Sequence, residues 1–269
     1  MKICITHIKN EEYMLPWWLM NHVNKFDIGF VIDYNSTDNS LNIVRELAPH
    51  WIVLQSRNNR FGALECDAEI VDLENYLYSQ YDNPVILVLT IAEFLIGNTK
   101  FLDSVPGEYV KFIMTAQMCD TMENMYVEPN KNYPLTIQRT FGYREQYVPG
   151  IPFPYSDVWT QSLSELGIGP RGMRCIHNVP IKYELGRHYW QEPLEDRLLI
   201  ASYRYSPHTL GTISRMCAIQ DEMSEKDIAT GFGTQHIDLN EDMIFRRMLY
   251  LRNISRNLSD DFNYLEALP

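Results

Sequence analysis

Four clusters of polar residues each follow a short apolar run. The run at residues 2–7 leads into Thr6, His7, Lys9, Asn10, Glu11 and Glu12. GFVIDY at 29–34 leads into Asp33, Asn35, Ser36, Thr37 and Asp38. WIVLQ at 51–55 is followed by Arg57, Asn58, Asn59 and Arg60, and VILVL at 85–89 by Thr90 and Glu93. Carboxylates and amides in such places accept hydrogen bonds from a nucleobase N–H or a ribose hydroxyl. Guanidinium groups can grip phosphate oxygens two at a time. Asp33 is the leading single candidate, as a strand-end carboxylate expected to face solvent. Each cluster alone also has a plain structural reading. Asn-Ser-Thr-Asp is a helix cap, Glu11-Glu12 suits a helix N-terminus, and Arg57 and Arg60 can be solvated loop charges. Four in succession favour a ligand rim.

The elements between the clusters decide whether they share that rim. Pro16 sits where a first-turn proline is tolerated. Leu15, Trp18, Leu19, Val23 and Phe26 follow at spacings of three and four, which predicts an amphipathic helix. Ser36 and Asp38 precede Leu41, Ile43, Val44 and Leu47, so a capped helix is expected, ending at Pro49. A third helical stretch covers about 63–81. The unbroken apolar run at 85–89 suits a buried parallel strand. Four strands alternate with three helices in about ninety residues, which predicts a parallel sheet with right-handed crossovers. In such sheets ligands bind at the carboxyl ends of the strands. The second half is less regular. YVPGIPFP at 147–154 reads as an extended loop, GIGPRG at 167–172 as turns, and 240–251 as a late helix. No Gly-, Ser- or Pro-rich linker separates two domains.

Composition removes several classes of function. The 269 residues carry a formal net charge of -12, with no basic patch in the sequence, so nucleic acid is not an expected partner. No apolar run approaches the ~20 residues of a spanning helix. The five cysteines are scattered without C-x-x-C spacing and no secretory pattern opens the chain. This reads as free thiols in a cytoplasmic protein, with peripheral membrane association left open. Neither G-x-x-x-x-G-K-[ST] nor G-x-G-x-x-G is present.

KNEEYMLPWWLMNH followed by VIDYNSTDNS resembles the opening of GT-A-fold glycosyltransferases of the family-2-like group. VILVLTIAEFLIG, KYELGRHYW and LLIASYRYSPHTLGTISRM are similar to later blocks of the same group, in the same order. The resemblance implies a single α/β domain over 1–269, a GT-A-like α/β/α sandwich with a mainly parallel central sheet. Residues 1–98 would form the nucleotide-binding half, and 99–269 the acceptor side and C-terminal helices. The implied reaction moves a sugar from a nucleotide-sugar donor to a glycan or lipid-linked acceptor hydroxyl. Carried over position by position, the donor-binding candidates are Thr6, Lys9, Asn10, Glu12, Asp33, Asn35, Ser36 and Asp38. Arg57 and Arg60 are placed to meet the diphosphate.

The sequence departs from the group where a D-x-D-E-F-L segment would ligate a divalent metal. It reads Thr90-Ile91-Ala92-Glu93-Phe94, and Ser202 stands where a later histidine is usual. No metal cofactor is therefore expected, since Glu93 alone is too few ligands for a stable Mg²⁺ or Mn²⁺ site. Three readings stay open. Cations such as Arg57, Arg60, Arg204 or Lys9 stabilise the leaving diphosphate without metal; a metal binds weakly through Glu93 and His188; or the chain is an inert relative that binds a sugar nucleotide, glycan or partner protein. For the base that takes the acceptor proton, the candidates are Glu93, Asp157 in PYSDVW and His188 in GRHYW.

Overall fold

A computed structural model describes residues 1–58, 62–144, 174–183, 193–230 and 239–269. The first part alternates as expected: β1 (Lys2–Ile8), α1 (Leu15–His22), β2 (Ile28–Asp33), α2 (Ser40–Leu47), β3 (Ile52–Gln55), α3 (Ala63–Gln80) and β4 (Val85–Val88). Next come β5 (Glu93–Ile96), a 3-10 turn at Lys100–Ser104, β6 (Val110–Met118), α4 (Leu135–Gln138), β7 (Phe141–Arg144) and β8 (Arg174–His177). The chain then forms β9 (Leu194–Ser202), α5 (Leu210–Glu222), α6 (Glu225–Thr230), α7 (Glu241–Ile254), β10 (Arg256–Asn257) and α8 (Ser259–Ala267).

The α/β architecture with a parallel central sheet is present. Strands β4, β1, β2 and β3 lie side by side and parallel. The sheet continues beyond β4 through β8, β6, β7 and β10, all antiparallel to their neighbours, while β9 pairs parallel with β6 and antiparallel with β5. Because β8 opposes both β4 and β6, these two run in the same direction. The carboxyl ends of β1 to β4, β6 and β9 therefore share one rim with the amino ends of β8 and β5.

Every residue of β1 is buried, and alternation divides its side chains between two cores. Cys4 and Ile8 join Trp17, Trp18 and Val44 beneath α1 and α2. Ile3 and Ile5 join Phe30, Ile32, Cys66, Ile70 and Leu77 beneath α3. Trp18 meets Trp51 edge to face, with centroids 5.7 Å apart. A Cβ at Gly29 would collide with the Trp51 ring, which explains a glycine inside a strand at that point.

One local expectation is corrected. Helix α1 ends at His22, so Val23 is its C-cap, and Phe26 reaches the core from the following turn. Helix α2 starts at Ser40; its N-cap Asn39 makes no side-chain bond, but Asp38 accepts from Ser40 N at 2.9 Å and so holds the start of the helix as expected. His22 is fully buried and held as one neutral tautomer. Its Nδ1 donates to Trp18 O at 2.7 Å and its Nε2 accepts from Leu95 N at 3.0 Å. Burial pushes its pKa down to about 3.

Candidate functional site

The loops after β1 and β2 are tied to each other by side chain–backbone bonds. Asn10 N donates to Ser36 Oγ at 3.0 Å, and Asn10 Oδ1 accepts from Thr37 N at 2.7 Å. Glu12 N donates to Asp38 Oδ2 at 3.0 Å, while Glu12 Oε2 accepts from Asn39 N at 2.9 Å. Glu11 N donates to Ser40 Oγ at 2.8 Å, and Lys9 Nζ reaches Asn35 O at 3.0 Å. Asn10 and Asn35 take the left-handed conformation, with φ of 51° and 58°. Asparagine tolerates that region better than most residues. Arg215 of α5 closes the arrangement with a two-point ion pair to Glu11, one contact at 2.8 Å. Lys9, Asn10, Glu12, Asn35, Ser36 and Asp38 are thus brought together, and much of their polar capacity is spent on one another.

Thr6 and Asp33 are placed differently from expectation. Strand β1 runs on to Ile8, so Thr6 is fully buried two residues short of the strand end. Asp33 does not face solvent: it is 2% exposed and accepts from Ser36 N at 3.1 Å. The turn that follows β2 folds back over its carboxylate. The third cluster is organised by a residue that the sequence reading missed, Glu69 on α3. Its carboxylate accepts from Ser56 Oγ and Arg57 N, each at 2.8 Å, and from Tyr34 OH at 3.1 Å. The Arg57 side chain pairs with Asp72 at 2.7 Å and is 61% exposed. Such an exposed pair holds it weakly. Arg60, Asp157 and His188 lie outside the described residues.

The fourth cluster meets the late segment that ends at Ser202. Glu93 opposes Ser202 across the β5–β9 ladder, Ser202 opposes Gln117 across β9–β6, and Tyr203 N donates to Ala92 O at 2.7 Å. The positions that the resemblance assigns to one metal site are therefore neighbours in space. Their donors do not suit a divalent cation. Thr90 and Ala92 bring no carboxylate, and Ser202 brings no imidazole. The Glu93 carboxylate accepts from Arg174 Nε at 2.9 and 3.0 Å, from Arg174 Nη2 at 2.9 Å and from Thr90 N at 2.8 Å. Among the described residues, no three His, Cys, Asp or Glu converge as a metal would require.

Engaged this way, Glu93 is a poor acceptor for a substrate proton and a good anchor for Arg174. Sequence reasoning overlooked Arg174 and Gln117. The one available signal was polar residues inside otherwise apolar strands, RCIH and VKFIMTAQM. Beyond β6, Asp120 is fully buried and accepts from Ser206 Oγ and, at 2.8 Å, from His208 N. Burial raises its pKa. Among the described residues, no helix is long and apolar enough to cross a membrane.

No protein-family model matches the sequence, and no curated protein does. Solved structures do show similarity. S. aureus TarS 1-349 in complex with UDP is 19% identical, with a TM-score of 0.33 over 48% of this chain and 40% of that one. The complex of the same TarS chain with UDP-GlcNAc gives 0.31 over 47% and 38%. The mannosyltransferase PcManGT from Pyrobaculum calidifontis, in complex with GDP-Man and Mn²⁺, is 15% identical, with a TM-score of 0.29 over 45% and 35%. The match thus spans less than half the length of each of these chains.

Proposed function

We propose that this chain transfers a sugar from a nucleotide-sugar donor to the hydroxyl of a glycan or lipid-linked acceptor, without a protein-held divalent metal. The observation that supports this most is the convergence on one rim of the β1 and β2 loops, the Thr90–Glu93 turn and Arg174. Of the four sequence blocks that resemble GT-A transferases, the opening block, VILVLTIAEFLIG and LLIASYRYSPHTLGTISRM each reach this rim, and most of KYELGRHYW lies outside the described residues. In this reading the nucleoside lies over the ends of β1 and β2. There the exposed Asn35 offers its amide to the base or ribose, and Asp33 offers its carboxylate once the ligand displaces the turn that covers it. The diphosphate lies toward Thr90, with Lys9 as the nearby cation that offsets the negative charge it gains on leaving, while Arg174, its charge matched by Glu93, borders the same place. The anomeric C–O bond to phosphate breaks as the bond to the acceptor oxygen forms, and the acceptor proton passes to a base. With Glu93 engaged by Arg174, Asp157 and His188 are the candidates to substitute first.

The test is titration with a panel that includes UDP-GlcNAc and GDP-Man, followed by donor turnover with and without excess chelator. Binding and turnover that both survive chelation are the expected outcome. Turnover that vanishes in chelator and returns with Mn²⁺ rejects metal independence. A second reading, an inert protein that only binds a sugar nucleotide, is favoured by the loop interlock and the engaged Glu93. Binding with no hydrolysis or transfer selects it.

A further inference from the structure

Gln117 is the penultimate residue of β6, at the carboxyl end that belongs to the rim. It opposes Ser202, and Ser202 opposes Glu93. Directly paired residues project to the same face of a sheet. Gln117, Ser202 and Glu93 therefore form a polar row across three strands that ends at the Arg174 ion pair. Gln117 is 1% exposed, yet neither its Oε1 nor its Nε2 has a hydrogen-bond partner. A side-chain amide offers two donors and an acceptor with two lone pairs. The large majority of buried side-chain polar atoms are satisfied, and an unmet one costs about 1–3 kcal/mol. Methionine would fill similar volume at no such cost, so the fold alone does not account for the amide.

Its place along the rim suggests what does. From the nucleotide loops the sheet passes β1, then β4 with Thr90, then β8 with Arg174, then β6 with Gln117. A ligand with its nucleoside over β1 and β2 and its diphosphate near Thr90 and Arg174 carries its next group toward β6. We infer that Gln117 is a specificity-determining residue that reads the sugar of the donor. Its Nε2 donates to, and its Oε1 accepts from, a ring substituent with both capacities, either adjacent hydroxyls or an acetamido group. The inference rests on the nucleotide-sugar reading above. Because the amide is covered, a sugar reaches it only with local movement of the chain over it, and a buried water is the competing occupant.

The experiment is calorimetric titration of the wild-type chain and Gln117→Met with UDP and GDP, and with UDP-GlcNAc, UDP-glucose and GDP-Man. The variant should bind the free nucleotides within twofold of wild type. It should lose tenfold or more in affinity for whichever sugar nucleotide the wild type prefers. Loss for UDP-GlcNAc but not UDP-glucose identifies the acetamido group, and equal loss identifies the hydroxyls. Gln117→Asn, which withdraws the amide by one methylene, should lose sugar affinity in the same direction and serves if the methionine variant does not fold. Unchanged sugar-nucleotide affinity means a buried water only and overturns the inference, as does a wild type that binds free nucleotide as tightly as its sugar conjugate. A wild type that binds neither overturns the nucleotide-sugar reading itself, and this inference with it.

Discussion

Replacing Arg174 by methionine would leave the Glu93 carboxylate buried beside Thr90 without its countercharge. The two side chains are 6% and 10% exposed, and three of their N···O contacts lie at or under 3.0 Å. Breaking a buried pair by removing one partner costs about 3–5 kcal/mol, because the remaining charge is stranded. Replacing both partners with apolar residues of similar volume is often neutral or better. Arg174→Met should therefore lose about 3–5 kcal/mol, and Arg174→Met with Glu93→Leu should recover most of it. Urea unfolding of wild type, both single variants and the double variant measures the coupling directly, provided the slopes agree. On the scaling for domains of this size, the single variant should melt roughly 6–20 °C lower. A loss under about 1 kcal/mol for Arg174→Met, or a double variant as unstable as the sum of the singles, would refute the argument. Glu93 would then be free enough to be reconsidered as a base.

Three further outcomes follow from groups already described. The unfolded chain protonates His22 near its ordinary value of 6.5 while the folded chain resists until about 3, so stability should fall as pH drops through that window. The loss reaches about 2 kcal/mol by pH 5, and a urea midpoint that does not move between pH 7.5 and 5 contradicts it. Asp33→Ala strands Ser36 N and should cost about 1–3 kcal/mol in stability. Asp33→Asn keeps the acceptor and the fold, and should lose tenfold or more in nucleotide affinity by calorimetry. Gly29→Ala drives a methyl into the Trp51 ring and should cost about 1–3 kcal/mol, so a thermal midpoint equal to wild type would show that the ring can move aside.

The parallel half of the sheet was legible because each of its strands is a short apolar run and each crossover is a local helix. The rim was legible because polar clusters follow those runs directly. What could not be read were pairings over long sequence separations. Glu93 and Arg174 are 81 positions apart, and Glu11 and Arg215 are 204 apart. Nothing in TIAEF or RCIH names the other. The burial of Asp33 was missed for a different reason. It depends on a turn that folds back over a strand end, and that geometry follows from Ser36 N seeking an acceptor, not from the polarity of the residues. Asn10 and Asn35 did carry a signal, because asparagine is favoured where φ turns positive, but the same residue type also suits caps and ligands.

The reciprocal bonds between the β1 and β2 loops bear on how this rim can change. Each loop supplies the acceptors for the other's backbone N–H groups, so neither has a complete hydrogen-bond set by itself. An insertion or deletion in one shifts its donors out of register and strands acceptors in the other. The two segments, about residues 9–12 and 33–40, therefore behave as one transplantable unit. A chimaera that exchanges both together with a related scaffold keeps its closing bonds. One that exchanges a single loop begins with several unmet groups at the edge of the site.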